Sequence, residues 1–254
     1  MPALMPTRNG SVVFFDQQVR VDGTERFLAD MRAEHPDLHP TIFHVVLWAL
    51  ARTFARHPHI NRFVAGGRLY QREGVWISFT VKSELSEAGT ILELKHRFEP
   101  AQPFPDLVRD LQAGVAAMRG GRQGLADREL DLFLHLPSPM RRGIVRVASA
   151  ANGLNLLPPG FIESDPFFAS AFVTNLGSVG LDAAFHHLYE YGTIPIFCTL
   201  GAIHDAVVVE NGEPIVGRVA SIKFTYDERV EDGLYAGHAL EDFRKMVENP
   251  AAAG

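Results

Sequence analysis

Between Ala220 and Tyr226 apolar and polar side chains alternate without a break. Ala220, Ile222, Phe224 and Tyr226 fall on one side of an extended chain, and Ser221, Lys223 and Thr225 on the other. A period of two is that of a strand with one face against a core, so this stretch commits the C-terminal third to a sheet. Upstream, Asn211-Gly212 supplies the residue pair that a type I′ turn needs, which pairs Ala206 to Val209 with Ile215 to Tyr226 as a hairpin. The apolar runs Ala169 to Leu176 and Thr193 to Leu200 read as further strands. A closing helix follows, with Ala236, Ala239, Leu240, Phe243, Met246 and Val247 on one face before Pro250.

The N-terminal half alternates strand and helix signals. Ser11 to Val21 favours strand, and Thr24 to Ala33 has the straight-chain and alanine content of a short helix. After Thr41 as N-cap, Ile42, Val45, Val46, Ala49, Leu50 and Phe54 recur at three and four residues and mark a core helix that stops at His57-Pro58. Phe63 to Tyr70 and Val75 to Val81 read as two strands of a hairpin turning at Gln71-Arg72-Glu73-Gly74. Helices are expected over Phe104 to Met118, Asp127 to Leu136 and Met140 to Ala151, the last two separated by Pro137-Ser138-Pro139. The loop Arg119-Gly120-Gly121-Arg122-Gln123-Gly124 is glycine-rich but matches neither a P-loop nor a dinucleotide fingerprint. With no internal repeat or low-complexity linker, residues 1–254 read as one α/β domain, a mixed β-sheet flanked by helices.

Composition narrows the partners. Hydrophobic residues make up 46% and charged residues 21%, and 24 basic against 30 acidic residues leave a net charge of -6. No whole-protein basic field exists to hold nucleic acid or anionic lipid, so an anionic ligand must be met locally. No stretch approaches the roughly 20 apolar residues of a membrane span, and no signal sequence opens the chain. Cys198, the single cysteine, lies in an apolar run and reads as a buried thiol, in keeping with a cytoplasmic protein.

If the strand that contains Tyr226 continues for two residues, Glu228 falls on its apolar face and Asp227 points away. A carboxylate so placed must be paired, hydrogen-bonded or protonated. The run Phe224-Thr225-Tyr226-Asp227-Glu228-Arg229-Val230-Glu231-Asp232-Gly233 resembles the end of the catalytic domain of dihydrolipoyl acyltransferases, the cores of 2-oxo acid dehydrogenase complexes, and of chloramphenicol acetyltransferases. Phe172-Val173-Thr174-Asn175-Leu176-Gly177, Leu200-Gly201-Ala202-Ile203 and His57-Pro58-His59-Ile60-Asn61 resemble other stretches of that superfamily, in the same order. The resemblance implies the CoA-dependent acyltransferase fold, a homotrimer or larger assembly, and an active site at each subunit boundary. CoA and a small-molecule acceptor would enter it from opposite sides. No lipoyl or peripheral-subunit-binding domain is recognised.

Carried over residue by residue, the resemblance puts Glu228 at the position of the family's catalytic histidine, Thr174 at the oxyanion hydroxyl and Asp232 at the structural aspartate. Arg8 matches that aspartate's partner, and Asn175 and Gly233 complete the matching motifs as structural residues. An imidazole titrates near about 6.5 and a glutamate near about 4.3, so Glu228 needs a dry pocket to serve as base. Otherwise it is a structural carboxylate, and the chain is a silent homologue acting as an oligomeric scaffold or ligand-binding subunit.

Several residues carry a second reading. Thr174 is either the oxyanion hydroxyl or a strand residue with a satisfied hydroxyl. Adjacent side chains diverge in regular structure, so His186-His187, with His204 nearby and Glu190 at helical spacing, does not make a metal site, and no metal is expected. His57 and His59 suit the C-terminal end of a helix. Arg119, Arg122, Arg141, Arg142 and Arg146 suit either CoA phosphates or a solvated helix face.

Overall fold

The computed structural model describes residues 4–82, 91–119, 135–154 and 156–253. Strand β1 (Val12–Arg20) leads into helices α1 (Asp22–Glu34) and α2 (Ile42–Arg56). Strands β2 (Arg62–Ala65), β3 (Arg68–Gln71), β4 (Val75–Lys82) and β5 (Ile91–Phe98) follow, then α3 (Phe104–Arg119), α4 (Ser138–Gly153) and α5 (Pro159–Ser164). The C-terminal part comprises β6 (Ala171–Asn175), β7 (Ile196–Glu210), β8 (Glu213–Asp227), α6 (Gly233–Glu248) and the single turn α7 (Pro250–Ala253).

The main sheet has the order β1-β8-β7-β6-β4-β5. Strand β6 runs parallel to both neighbours, and the other pairs are antiparallel, which makes the sheet mixed as expected. Helix α2 is buried along most of its length, because nearly every position from Val45 to Phe54 is apolar and faces either the sheet or α6. Ala220, Ile222, Phe224 and Tyr226 join this core, which bears out the alternation of β8. The opposite face of the sheet carries a smaller aromatic cluster around Phe172, Leu188, Ile194 and Phe197.

Two expectations change. Phe63 to Tyr70 is not one strand: it folds back at Gly66 (φ 56°) and Gly67 (φ 73°) into the separate β2–β3 pair, and β4 joins the main sheet. Two successive left-handed residues are the backbone of a tight hairpin, and glycine adopts them without a Cβ clash. Likewise, the run from Thr193 enters the sheet only at Ile196, and its Ile196 to Leu200 and the expected strand Ala206 to Val209 are parts of the single strand β7, continued through an irregularity between Leu200 and Ile203. The turn at Asn211 (φ 52°) and Gly212 (φ 86°) has the positive φ pair of type I′. The helix expected from Asp127 lies outside the described residues except at its last two positions, as do residues 120–124 of the glycine-rich loop.

The start of α2 contains a pH-sensitive cap. His44 Nδ1 accepts the backbone N–H of Thr41 (3.1 Å), a role open only to an unprotonated ring nitrogen. Burial lowers the His44 pKa to about 4. The folded value lies below the unfolded one near about 6.5, so protons bind preferentially to the unfolded chain. The contribution is therefore present above the unfolded value and is lost as pH falls from about 6.5 towards 4. A series of urea unfolding curves between these limits should show falling midpoints, and His44→Gln, which can still serve the capping box, should flatten that slope.

Candidate functional site

Strand β8 ends at Asp227, where the chain turns away from the sheet, and the Glu228 N–H donates to Ser11 O (2.9 Å). The expected placement of the two carboxylates is reversed: Asp227 is 1% exposed, whereas Glu228 is exposed to solvent. Two causes combine. The polar face of β8 is not open, because residues around His186 cover it and Thr225 Oγ1 donates to His186 O. In addition, Arg229 folds back on Asp227, with Nε to Oδ1 at 2.8 Å and Nη2 to Oδ2 at 2.7 Å, a bidentate pair that satisfies the buried carboxylate. Glu228 is left on the outside of the turn, without the dry pocket that would strengthen it as a base.

Arg8 is buried as well, but its carboxylate is not Asp232. Its Nε lies 3.9 Å from Asp227 Oδ2, and its guanidinium donates to Tyr189 O and to Gly192 O (Nη2, 2.8 Å). Desolvation lowers the Arg8 pKa, opposed by the neighbouring Asp227 charge. Asp232 is instead the N-cap of α6, where its Oδ1 accepts the Tyr235 N–H (2.9 Å) and completes the end of a helix whose first N–H groups lack partners. The expected Arg8–Asp232 pair is thus replaced by Arg8–Asp227–Arg229. Gly233 is the first residue of α6.

Thr174 lies on β6, with its hydroxyl 3.1 Å from the Thr80 hydroxyl on β4. Asn175 ends that strand, and its Oδ1 accepts the Ser178 N–H (3.1 Å). Thr174 is in register with Thr199, and Thr199 with Lys223, so Asp227, where β8 ends, stands four residues farther along it and Glu228 follows in the turn. At about 3.3 Å per residue the strand alone spans roughly 13 Å. One chain does not bring these two side chains together.

The His-Pro segment does reach the turn. His59 Nδ1 lies 2.8 Å from Glu231 Oε2, which also accepts Arg62 Nη1 (2.9 Å). The His59 ring stacks on Tyr235 (centroids 4.9 Å apart, planes at 19°), and His57 Nε2 lies 2.8 Å from Asp242 Oδ2. Asn61 is buried and donates through Nδ2 to Gly74 O (2.9 Å). Local sequence reading assigns His57 and His59 only to a helix end, because their carboxylate partners come from the far end of the chain.

The His186-His187 pair also differs from expectation. The rings stack at 4.4 Å instead of diverging, because this segment is neither strand nor helix, and His186 lies on Phe197 (4.0 Å). Glu190 accepts the backbone N–H groups of Arg8 and Asn9. No group of three or more His, Cys, Asp or Glu side chains placed to hold a metal ion occurs among the described residues. Cys198 is fully buried, as expected, and desolvation raises its thiol pKa. Arg142 and Arg146 are exposed on α4 and Arg141 is half-buried, while Arg122 lies outside the described residues. Among those residues no helix is long and apolar enough to cross a membrane.

Residues 168–254 match the family of 2-oxoacid dehydrogenases acyltransferase (catalytic domain). A search of curated proteins finds no match. Among solved structures, a probable dihydrolipoamide acetyltransferase from Listeria monocytogenes 4b F2365 is similar with a TM-score of 0.67 at 15% identity, over 97% of this chain and 90% of that one. The cubic core of the pyruvate dehydrogenase multienzyme complex gives 0.66 at 15% identity, over 95% and 83%. A chloramphenicol acetyltransferase gives 0.54 at 13% identity, over 97% and 91%. At such identities the likeness establishes the fold, and this chain has the fold of the CoA-dependent acyltransferases.

Proposed function

We propose that this chain, whose residues 168–254 match the 2-oxoacid dehydrogenase acyltransferase catalytic domain, transfers an acyl group between CoA and a thiol, hydroxyl or amine acceptor. That match carries the reading, since it spans both Thr174 and the Glu228–Gly233 turn. The unit is a homotrimer or a larger assembly, a reading supported by the separation of Thr174 from the turn within one chain, which a second copy would bridge. Thr174 supplies the hydroxyl that stabilises the oxyanion, and the turn of a neighbouring copy supplies the acceptor side. CoA is the acyl carrier, with Arg141, Arg142 and Arg146 of α4 as candidate phosphate contacts.

Acetyl-CoA and dihydrolipoamide are suitable probes. Wild type is expected to release free CoA, and Thr174→Val, which keeps the shape but removes the hydroxyl, is expected to lower kcat by about 10² to 10³ with little change in KM. Light scattering should give three copies or a multiple of three. A trimer that turns over no acyl-CoA with any thiol, alcohol or amine would instead identify a scaffold.

A further inference from the structure

We propose that His59, oriented by Glu231, is the general base at the acceptor side of the site, in place of Glu228. This assignment rests on the acyl-transfer reading above. Glu231 lies in the same turn as Glu228, three residues farther on, and it is held from several sides. Its Oε2 accepts Arg62 Nη1 (2.9 Å), its Oε1 accepts the Asp232 N–H (3.2 Å), and its backbone oxygen accepts the Tyr226 hydroxyl (3.1 Å). A carboxylate fixed in this way sets the proton of its histidine partner. With Nδ1 at 2.8 Å from Oε2, the neutral ring carries its hydrogen on Nδ1 and leaves the Nε2 lone pair free.

Nε2 bonds to no protein group among the described residues, and the side chain is 43% exposed, so the lone pair is open to a ligand. The ring cannot swing freely: it stacks on Tyr235, whose hydroxyl accepts the His59 backbone N–H (3.4 Å). His57 is unsuited to the task, with its Nε2 already on Asp242 and only 16% of its side chain exposed. The Glu228 carboxylate is exposed to solvent, and no side chain among the described residues orients it.

In the step assigned to this dyad, Nε2 takes the proton from the acceptor S–H, O–H or N–H as the acceptor atom forms its bond to the acyl carbonyl carbon. The tetrahedral oxyanion then collapses, the carbon–sulfur bond to CoA breaks, and the imidazolium returns the proton to the leaving thiolate. One acyl group and one proton are exchanged, and nothing is oxidised or reduced. Glu231 acts as a positioning residue that holds the ring and its Nδ1 hydrogen in place.

The assembled protein can be tested with acetyl-CoA and dihydrolipoamide between pH 5 and 8. His59→Gln should lower kcat by about 10² or more without changing oligomeric size or the unfolding midpoint. Imidazole added to His59→Gly should restore part of the rate. Glu231→Gln should lower kcat and move the inflection of the pH profile, whereas Glu228→Gln should lose about tenfold less activity than His59→Gln. The assignment is overturned if His59→Gln keeps wild-type turnover while Glu228→Gln loses it, and acyl transfer then stands with the glutamate as base. A wild-type protein that releases no CoA removes the acyl-transfer reading itself, and the base assignment with it.

Discussion

Asp227→Ala is expected to lower the free energy of unfolding by about 3 to 5 kcal/mol, the usual cost of removing one partner from a buried ion pair. Asp227 is 1% exposed and is the carboxylate between Arg8 and Arg229, whose side chains are 6% and 5% exposed. Its loss leaves two guanidinium groups in a desolvated site, with Glu190 near Arg8 as the remaining counter-charge. Arg8 retains backbone carbonyl acceptors, and Arg229 retains the Met5 carbonyl (3.1 Å), so neither cation is wholly abandoned. Chemical denaturation at pH 7 measures the loss. Arg229→Met in the Asp227→Ala background should recover part of it, because an apolar side chain of similar length removes one unpaired charge. If the double variant is no more stable than the single one, the ion pair is not the source of the cost. Asp227 touches the turn through Arg229, so the single variant should also blunt acyl transfer.

Phe243→Ala is expected to cost a similar amount, about 3 to 5 kcal/mol, by a different route. The side chain is fully buried, and its ring meets Phe224 edge to face at 5.3 Å. That contact joins α6 to β8, the two elements that flank the turn from Glu228 to Asp232. Truncation leaves a cavity that a packed helix and sheet cannot fully close. Against a typical total stability of about 5 to 15 kcal/mol the effect is large. The urea midpoint should fall with the m-value unchanged, and Phe243→Leu, which fills most of the space, should lose markedly less. A midpoint that hardly moves in the alanine variant would show that the final helix is not anchored at this ring.

The elements that were legible in the sequence are those whose pattern is local and long. The three-and-four spacing from Ile42 to Phe54 produced α2, and the alternation from Ala220 to Tyr226 produced the buried face of β8. Shorter or two-sided patterns were not legible. Gly66-Gly67 splits one apparent strand into two, and β5 passed unnoticed because its apolar positions are interrupted by Glu93, Lys95, His96 and Arg97.

The motif at the end of β8 determined by itself that a turn joins the last strand to the last helix, because Asp232 is a helix cap and its capping bond needs only a residue three positions away. Which carboxylate of Asp227-Glu228 enters the interior was decided by tertiary structure alone. Strand alternation points Glu228 towards the core only if the strand continues and its other face meets water. Here the strand stops, residues around His186 close over the other face, and Arg8 arrives from the N-terminus to pair with the buried group. The same holds for His59, whose neighbours in sequence mark a helix end and whose carboxylate is brought to it by the fold. A desolvated charge is placed by the partners that offset its lost hydration, and those partners are remote in sequence.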